Sequence, residues 1–283
     1  MLNALTIDVE DFFHAEAVSR VVPREMWETM PSRVEQNMER VLDILARHNV
    51  RATMFFVGWI AERHPHLVEL AHQLGHEIGC HSYWHRPVSW LTPDQFREDT
   101  YRARSIIEDA ASAPVYGYRA PFYSITQDVD WAFEVLSDLG FTYDSSLYPV
   151  GRQPYVDEVD LRFAHKVAFG TLLEVPVTTM RIGRTNLPLG TGACLRTMPY
   201  WYVAGEIRKL NEQDHLPETI SLQPCDIDVR QPRLPLAFGA KLRQYHGLDT
   251  TAKKLEVLLK DFEMAPLSQV FDAHFSTLNS LVV

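Results

Sequence analysis

Cysteine is scarce in this chain and forms no local pair. Only Cys80, Cys194 and Cys225 occur in 283 residues, far apart and without a CxxC motif. Neither a disulfide framework nor a thiolate zinc finger is expected, and a reducing compartment fits better. Positive charge is also short: 27 Lys and Arg face 37 Asp and Glu, for a net charge of -10. A nucleic-acid partner is therefore not expected, because a polyanion needs a basic face. Long apolar runs are missing too. The longest, from Ala52 to Ala61, is about ten residues, where a transmembrane helix needs about 20. No basic segment followed by an apolar stretch opens the chain, so no signal peptide is expected. These absences favour a cytoplasmic protein, or one peripheral to the inner membrane. No Gly/Ser linker, low-complexity block or internal repeat divides the sequence, which favours a single domain.

What is present is an alternation of strand-like and helix-like stretches. "ALTI" is followed by residues 31–48, where Val34, Met38, Val41, Leu42 and Leu45 recur at helical spacing. "ATMFFV" reads as a strand and "HPHLVELAHQLG" as a helix ended by Gly75. "HEIGCHS" reads as a strand. The next helix starts at Thr92 as N-cap with Pro93 at its first position. "VYGYRAP", "FTYDSS", "LEVPVTT" and "TISLQP" read as strands, with helices at residues 126–140 and 251–264. Such alternation, at roughly 30 residues or more per unit, predicts parallel βαβ units. Residues 150–217 are less regular and rich in Pro and Gly, and residues 249–283 form a C-terminal helical extension. Trp59, Trp90 and Trp131 read as core.

The chemically active side chains gather at predicted strand ends. Asp8, Glu10 and Asp11 follow the first strand; "HSYWH" (residues 81–85), "RAPFYS" (119–124), "DSSLYP" (144–149) and "QPCDID" (223–228) follow later ones. In a parallel barrel those ends share one rim, where active sites are built. His81 and His85, four apart, can face one ion if the segment turns helically, and a carboxylate on the same rim would complete a His₂-carboxylate set with an open position. His72 and His76 share the spacing but sit beside Gly75 at a helix end and read as surface residues. Read alone, the three acids after the first strand could merely cap the next helix, and the Asp144–Ser146 cluster could be a turn.

Taken together, "TIDVEDFFH", "GHEIGCHSYWH", "GYRAPFYS", "YDSSLYP" and "QPCDID" resemble the NodB-homology polysaccharide deacetylases (carbohydrate esterase family 4), in particular the branch associated with exosortase and exopolysaccharide clusters. The resemblance runs over nearly the whole chain. It implies an α/β fold, a distorted (β/α)7 TIM-like barrel spanning residues 1–283 as one domain. It also implies metal-dependent removal of acetyl groups from N-acetylated sugars of a surface polysaccharide or its precursor. The implied ion is Zn²⁺, with Co²⁺, Ni²⁺ or Fe²⁺ as alternatives.

The same resemblance assigns roles. Asp8 matches the catalytic base, Arg119 the arginine that holds it, and Asp144 the acid that braces the arginine. Phe122 matches the oxyanion-facing backbone N–H, with Pro121 beside it. His81 and His85 match the metal ligands. The family's metal carboxylate often follows the base directly, but that position is Val9 here. Glu10, on the same strand side as Asp8, is the first choice and Asp11 the second. Phe12, His14, Tyr83, Trp84, Pro121, Tyr123 and Gln223 are candidate substrate contacts. Gln223 stands where the family carries its general-acid histidine, and an amide does not titrate near neutral pH. Either another group, such as His14 or protonated Asp8, donates the proton, or the substrate has a better leaving group. The remaining alternative is a non-catalytic or weakly active glycan-binding relative.

Overall fold

The computed structural model describes residues 1–19, 21–151, 161–167 and 172–272. Its core is one curled sheet of parallel strands. β1 (Leu2–Val9) is paired by β2 (Thr53–Phe56), followed in space by β3 (Glu77–Cys80), β4 (Gly117–Tyr118), β5 (Tyr143–Asp144) and β7 (Leu173–Glu174). β10 (Thr219–Leu222) lies on the other side of β1, so seven parallel strands run in the order β10-β1-β2-β3-β4-β5-β7. β6 (His165–Lys166) adds antiparallel to β7, and β11 (Glu263–Ala265) pairs with the start of β1. The backbone bond from Thr178 N–H to Thr219 O, at 3.1 Å, links the stretch after β7 back to β10. This is the expected (β/α)7 barrel.

The helices pack outside: α1 (Val34–Arg47), α2 (Gly58–Arg63), α3 (Pro65–Gln73), α4 (Pro93–Ala111), α5 (Trp131–Asp138), α6 (Gly192–Thr197), α7 (Tyr200–Lys209), α8 (Phe238–Tyr245), α9 (Leu248–Asp261) and α10 (Leu267–Val270). α1 buries the predicted stripe of Val34, Met38, Val41, Leu42 and Leu45, each side chain contributing about 1.5–3 kcal/mol. α4 opens with the expected Thr92 cap, here a full capping box with Gln95. No described helix is long and apolar enough to cross a membrane.

Some expectations needed correction. α2, α6, α7, α8 and the hairpin of β8 (Thr179–Ile182) and β9 (Thr185–Pro188) were not separated in the sequence. Residues 263–264 belong to a strand rather than to the last long helix. Trp90 is 75% exposed, whereas Trp59 is buried. His76 is buried too, accepting the Ala52 N–H on Nδ1. Parts of the 150–217 and 249–283 segments, residues 152–160, 168–171 and 273–283, lie outside the described residues.

Two glycines let aromatic rings fill the barrel beneath the rim. A Cβ at Gly79 would sit 2.4 Å from the Phe55 ring, and one at Gly117 2.1 Å from Tyr143. The Phe55 ring in turn lies 4.4 Å under the Arg119 guanidinium.

Candidate active site

The ladder continues one residue past the strands and sets the rim's height. His81 N–H bonds to Phe56 O, Arg119 N–H to Cys80 O, and Ser145 N–H to Tyr118 O. His81, Arg119 and Ser145 are thus fixed as neighbours around the opening, although far apart in sequence.

Arg119 is wholly buried. Its Nη1 donates to Asp8 Oδ1 at 2.8 Å, Thr6 Oγ1 at 2.6 Å and Ser221 Oγ at 2.9 Å. Its Nε and Nη2 donate to Ser145 O at 3.0 Å and Ser145 Oγ at 2.7 Å. Ser221 Oγ donates at 3.0 Å to the other Asp8 oxygen. Burial pushes the Asp8 carboxyl up, but the Arg119 charge, His81 and these hydrogen bonds outweigh it and hold the group below its ordinary value. Asp8 is therefore a preformed carboxylate with a fixed orientation.

Asp144 does not touch Arg119. Strand alternation turns it away, and its Oδ1 accepts the Ser146 hydroxyl at 2.6 Å. Ser146 Oγ accepts the Ala120 N–H at 2.7 Å, so Asp144 braces the Arg119 strand end through backbone. Burial raises the Asp144 carboxyl, and burial with the Asp144 charge raises its neighbour Glu174 further, as for two acids sharing a proton. The direct brace on Arg119 is Ser145, a residue the motif comparison passed over.

Glu10, His81 and His85 converge. Their ligand atoms all lie within 4.8 Å of one another, and all three residues are buried. Glu10 Oε2 is 2.7 Å from His85 Nε2, and His85 Nε2 is 3.2 Å from His81 Nε2. Neither Glu10 oxygen has a hydrogen-bond partner. A buried carboxylate left so is costly unless a cation joins it, and burial raises Glu10 well above its ordinary value. His81 Nδ1 lies 2.7 Å from Arg119 O, a contact that requires N–H there and leaves Nε2 as a lone pair facing Glu10. Burial, with His85 adding to it, lowers His81 to about 4, and burial lowers His85 to about 3, so both are neutral as ligation requires. The donor set fits a divalent ion that accepts nitrogen and oxygen.

The two histidines meet without a helical turn. Ser82 and His85 take left-handed backbone, with φ of 59° and 49°. Such positions cost energy outside glycine and gather at functional sites. Phe122 is also left-handed, with φ of 58°. Its turn is closed by Tyr123 N–H to Ala120 O and Ser124 N–H to Pro121 O, bonds that do not use the Phe122 N–H. The Phe122 ring packs 4.7 Å from His85.

Asp11 is corrected as a ligand. Its Oδ1 accepts the Phe12 N–H, and its Oδ2 accepts Ser32 Oγ at 2.7 Å, Arg33 N–H at 2.7 Å and Val34 N–H at 3.2 Å. It caps α1 from a distance, which is why that helix begins at Val34 rather than at Pro31. His14 is corrected as proton donor and substrate contact. Its ring is buried among Phe13, Trp27 and Trp59, behind His85. Its Nδ1 accepts the Asp11 N–H at 3.0 Å, and burial, with His85, keeps it neutral.

A cavity of about 310 Å³ opens over this cluster. Its lining includes Asp8, His81, His85, Phe122, Tyr123 and Gln223, together with Tyr148, Arg196 and Asp226. Tyr123 and Gln223 therefore stand where a substrate contact is expected. Phe12, Tyr83, Trp84 and Pro121 do not line the cavity. Phe12 packs on Phe13, the Tyr83 hydroxyl donates to Glu62, and Arg24 stacks on Trp84. Sequence reasoning missed Asp226 and Arg196, ion-paired at 2.8 Å on the cavity wall. It also missed Gly192, whose missing Cβ leaves room for the Asp226 carboxylate.

Residues 25–143 match the polysaccharide deacetylase family, and residues 145–272 match a domain family of unknown function, DUF3473. The first match includes His81, His85 and Arg119; Asp8 and Glu10 precede it. A peptidoglycan-N-acetylglucosamine deacetylase of Bacillus cereus is 32% identical over 34% of this chain and 35% of its own length. A chitooligosaccharide deacetylase of a Bradyrhizobium species is 32% identical over 31% of this chain and 41% of its own. The chain thus aligns with well under half the length of these relatives. Among solved structures, a Mycobacterium smegmatis protein assigned to the polysaccharide deacetylases superposes with a TM-score of 0.63 at 20% identity, covering 100% of this chain and 91% of that one. A carbohydrate esterase family 4 pseudoenzyme from Bacillus anthracis superposes with a TM-score of 0.52 at 14% identity, over 95% and 64%. At these identities the likeness is one of fold.

Proposed function

We propose that this chain, a relative of the polysaccharide deacetylases over residues 25–143, is a divalent-metal-dependent N-deacetylase acting on N-acetylated sugars of a surface polysaccharide or its precursor. The carrying observation is the unpartnered Glu10 carboxylate facing two neutral histidines, beside an Asp8 fixed by Arg119. Glu10, His81 and His85 would hold the ion. Once bound, it would supply Lewis acidity, making water more acidic and polarising the amide carbonyl.

The chain's own residues supply the rest. Asp8, ionised and oriented, takes the proton of the attacking water. The Phe122 N–H faces the oxygen on which negative charge develops, a type of donor whose loss costs about 3–4 kcal/mol of barrier. Expulsion of the sugar amine needs a proton on nitrogen. Gln223 lines the cavity but has none to give, and His14 is sealed behind His85. Asp8, protonated by the first step, is the group that can return that proton. Amide and water thereby become amine and acetic acid, with Asp8 restored as the carboxylate. The depressed Asp8 value makes its protonated form a competent acid.

Gln223 also favours a second reading, glycan binding without turnover. The discriminating experiment is acetate release from N-acetylglucosamine oligomers and glycan precursors by Zn²⁺- or Co²⁺-loaded protein, beside Gln223→His and Asp8→Asn. Under the first reading wild type releases acetate, Gln223→His raises the rate by about 10²- to 10⁴-fold, and Asp8→Asn abolishes it. Release by Gln223→His alone selects the binding reading. An Asp8→Asn variant as active as wild type overturns the assigned base.

A further inference from the structure

A second group of three ligand side chains converges on the outer surface of the barrel, away from the cavity. Glu35 stands in the first turn of α1, His64 precedes α3, and His66 is the second residue of α3. Glu35 Oε1 lies 2.8 Å from His66 Nε2 and 3.4 Å from His64 Nδ1. The three ligand atoms fall within 4.8 Å of one another, as in the buried cluster. Among the described residues, only these two groups meet that condition.

We propose that Glu35, His64 and His66 form a second divalent-cation site, of zinc-binding His₂-carboxylate type, which clamps the start of α1 to the α2–α3 corner. Both helices are packed against the barrel, and Pro65 fixes the backbone between the two histidines. The geometry is thus held by rigid elements rather than by a loop tip. One carboxylate oxygen facing two imidazole nitrogens is the arrangement a tetrahedral ion would fill, with its fourth position open to solvent. The Glu35 and His66 side chains are 52% and 58% exposed and the His64 side chain 18%. An ion could therefore enter and leave freely, unlike one at the buried cluster.

The site has a structural role for the centre without touching it. The start of α1 supplies the Arg33 and Val34 N–H groups that hold Asp11, the neighbour of Glu10. Trp59 of α2, on the other side of the clamp, packs on His14 behind His85. An ion at Glu35, His64 and His66 would tie together the two elements that back the catalytic cluster.

The test is zinc stoichiometry on chelator-stripped protein, by equilibrium dialysis and titration calorimetry. It does not depend on any enzymatic activity. Wild type should bind two ions. His66→Ala should bind one, His85→Ala one, and the double variant none. Zinc at about a hundredfold excess over Kd should raise the Tm of His85→Ala by roughly 5–10 °C, and that rise should vanish in the double variant. The surface position of His66 makes misfolding of its variant easy to exclude by circular dichroism. An His85→Ala protein that binds no zinc, or a double variant that keeps an ion, overturns the proposal. A buried site that fails while His66→Ala still abolishes one bound ion refutes the deacetylase reading alone.

Discussion

Replacing Arg119 by Met tests the centre of the site independently of any substrate. The side chain makes five hydrogen bonds, to Asp8, Thr6, Ser221 and twice to Ser145, from full burial. Methionine fills most of the volume but leaves Asp8 as a buried carboxylate whose one remaining side-chain donor is Ser221. Removing one partner of a buried ion pair typically costs 3–5 kcal/mol, mostly the desolvation of the charge left behind. We expect about that loss at pH 8 in urea unfolding with chelator present. The pH dependence follows from the sign of the shift. In wild type the Asp8 value is depressed, so its contribution is present above the unfolded value near 3.8 and is lost only as pH falls through the lower folded value. In Arg119→Met, burial is opposed only by His81 and the Ser221 hydrogen bond, and Asp8 is expected to rise. The variant's penalty is then full above that raised value and shrinks as the group protonates. The stability gap between the two proteins should therefore narrow from pH 8 to pH 5. Adding Asp8→Asn to Arg119→Met should restore about 1–3 kcal/mol, the coupling of the pair. A loss below about 1 kcal/mol, or a gap that does not change with pH, would show that Arg119 is not what holds Asp8 charged.

Two further outcomes separate neighbouring acids. Glu10→Gln should remove the buried ion in a cobalt titration, whereas Asp11→Ala should retain it and lose about 0.5–2 kcal/mol of stability through the α1 cap; the reverse pattern would return Asp11 to the ligand set. Glu174, raised by burial and by Asp144, favours the folded state at pH below its unfolded value, an advantage eroded as pH climbs toward the folded one. Glu174→Gln should accordingly flatten the decline of the urea midpoint between pH 5 and 8, and an unchanged slope would refute the shared proton.

The rim was legible before any coordinates because its chemistry repeats at the ends of strands. "HSYWH", "RAPFYS" and "QPCDID" each follow an apolar run, and β3, β4 and β10 end within a residue of the three motifs. The irregular second half was less readable. Its helices α6, α7 and α8 are short, with Pro and Gly between them, and the periodicity that identifies a longer helix such as α1 has no length over which to accumulate. The cavity-wall residue Arg196 comes from that half, on α6, and carried no signal until the fold paired it with Asp226 of the "QPCDID" motif.

The sequence by itself determined the strand-and-helix alternation and the set of acids, histidines and arginine available to one rim, while the seven-stranded barrel came from its resemblance to a family and was borne out by the fold. It also placed an amide, Gln223, where the resemblance leads one to expect an imidazole. Only the tertiary structure decided between near neighbours. Glu10 and Asp11 are one residue apart, yet one meets two histidines and the other meets the N–H groups that open α1. Asp144 and Ser145 are adjacent, and it is the serine that grips Arg119. His14 and His85 are both histidines of the same neighbourhood, one sealed behind the other. Successive residues on a strand or turn point in different directions, and what each meets depends on segments up to two hundred residues away.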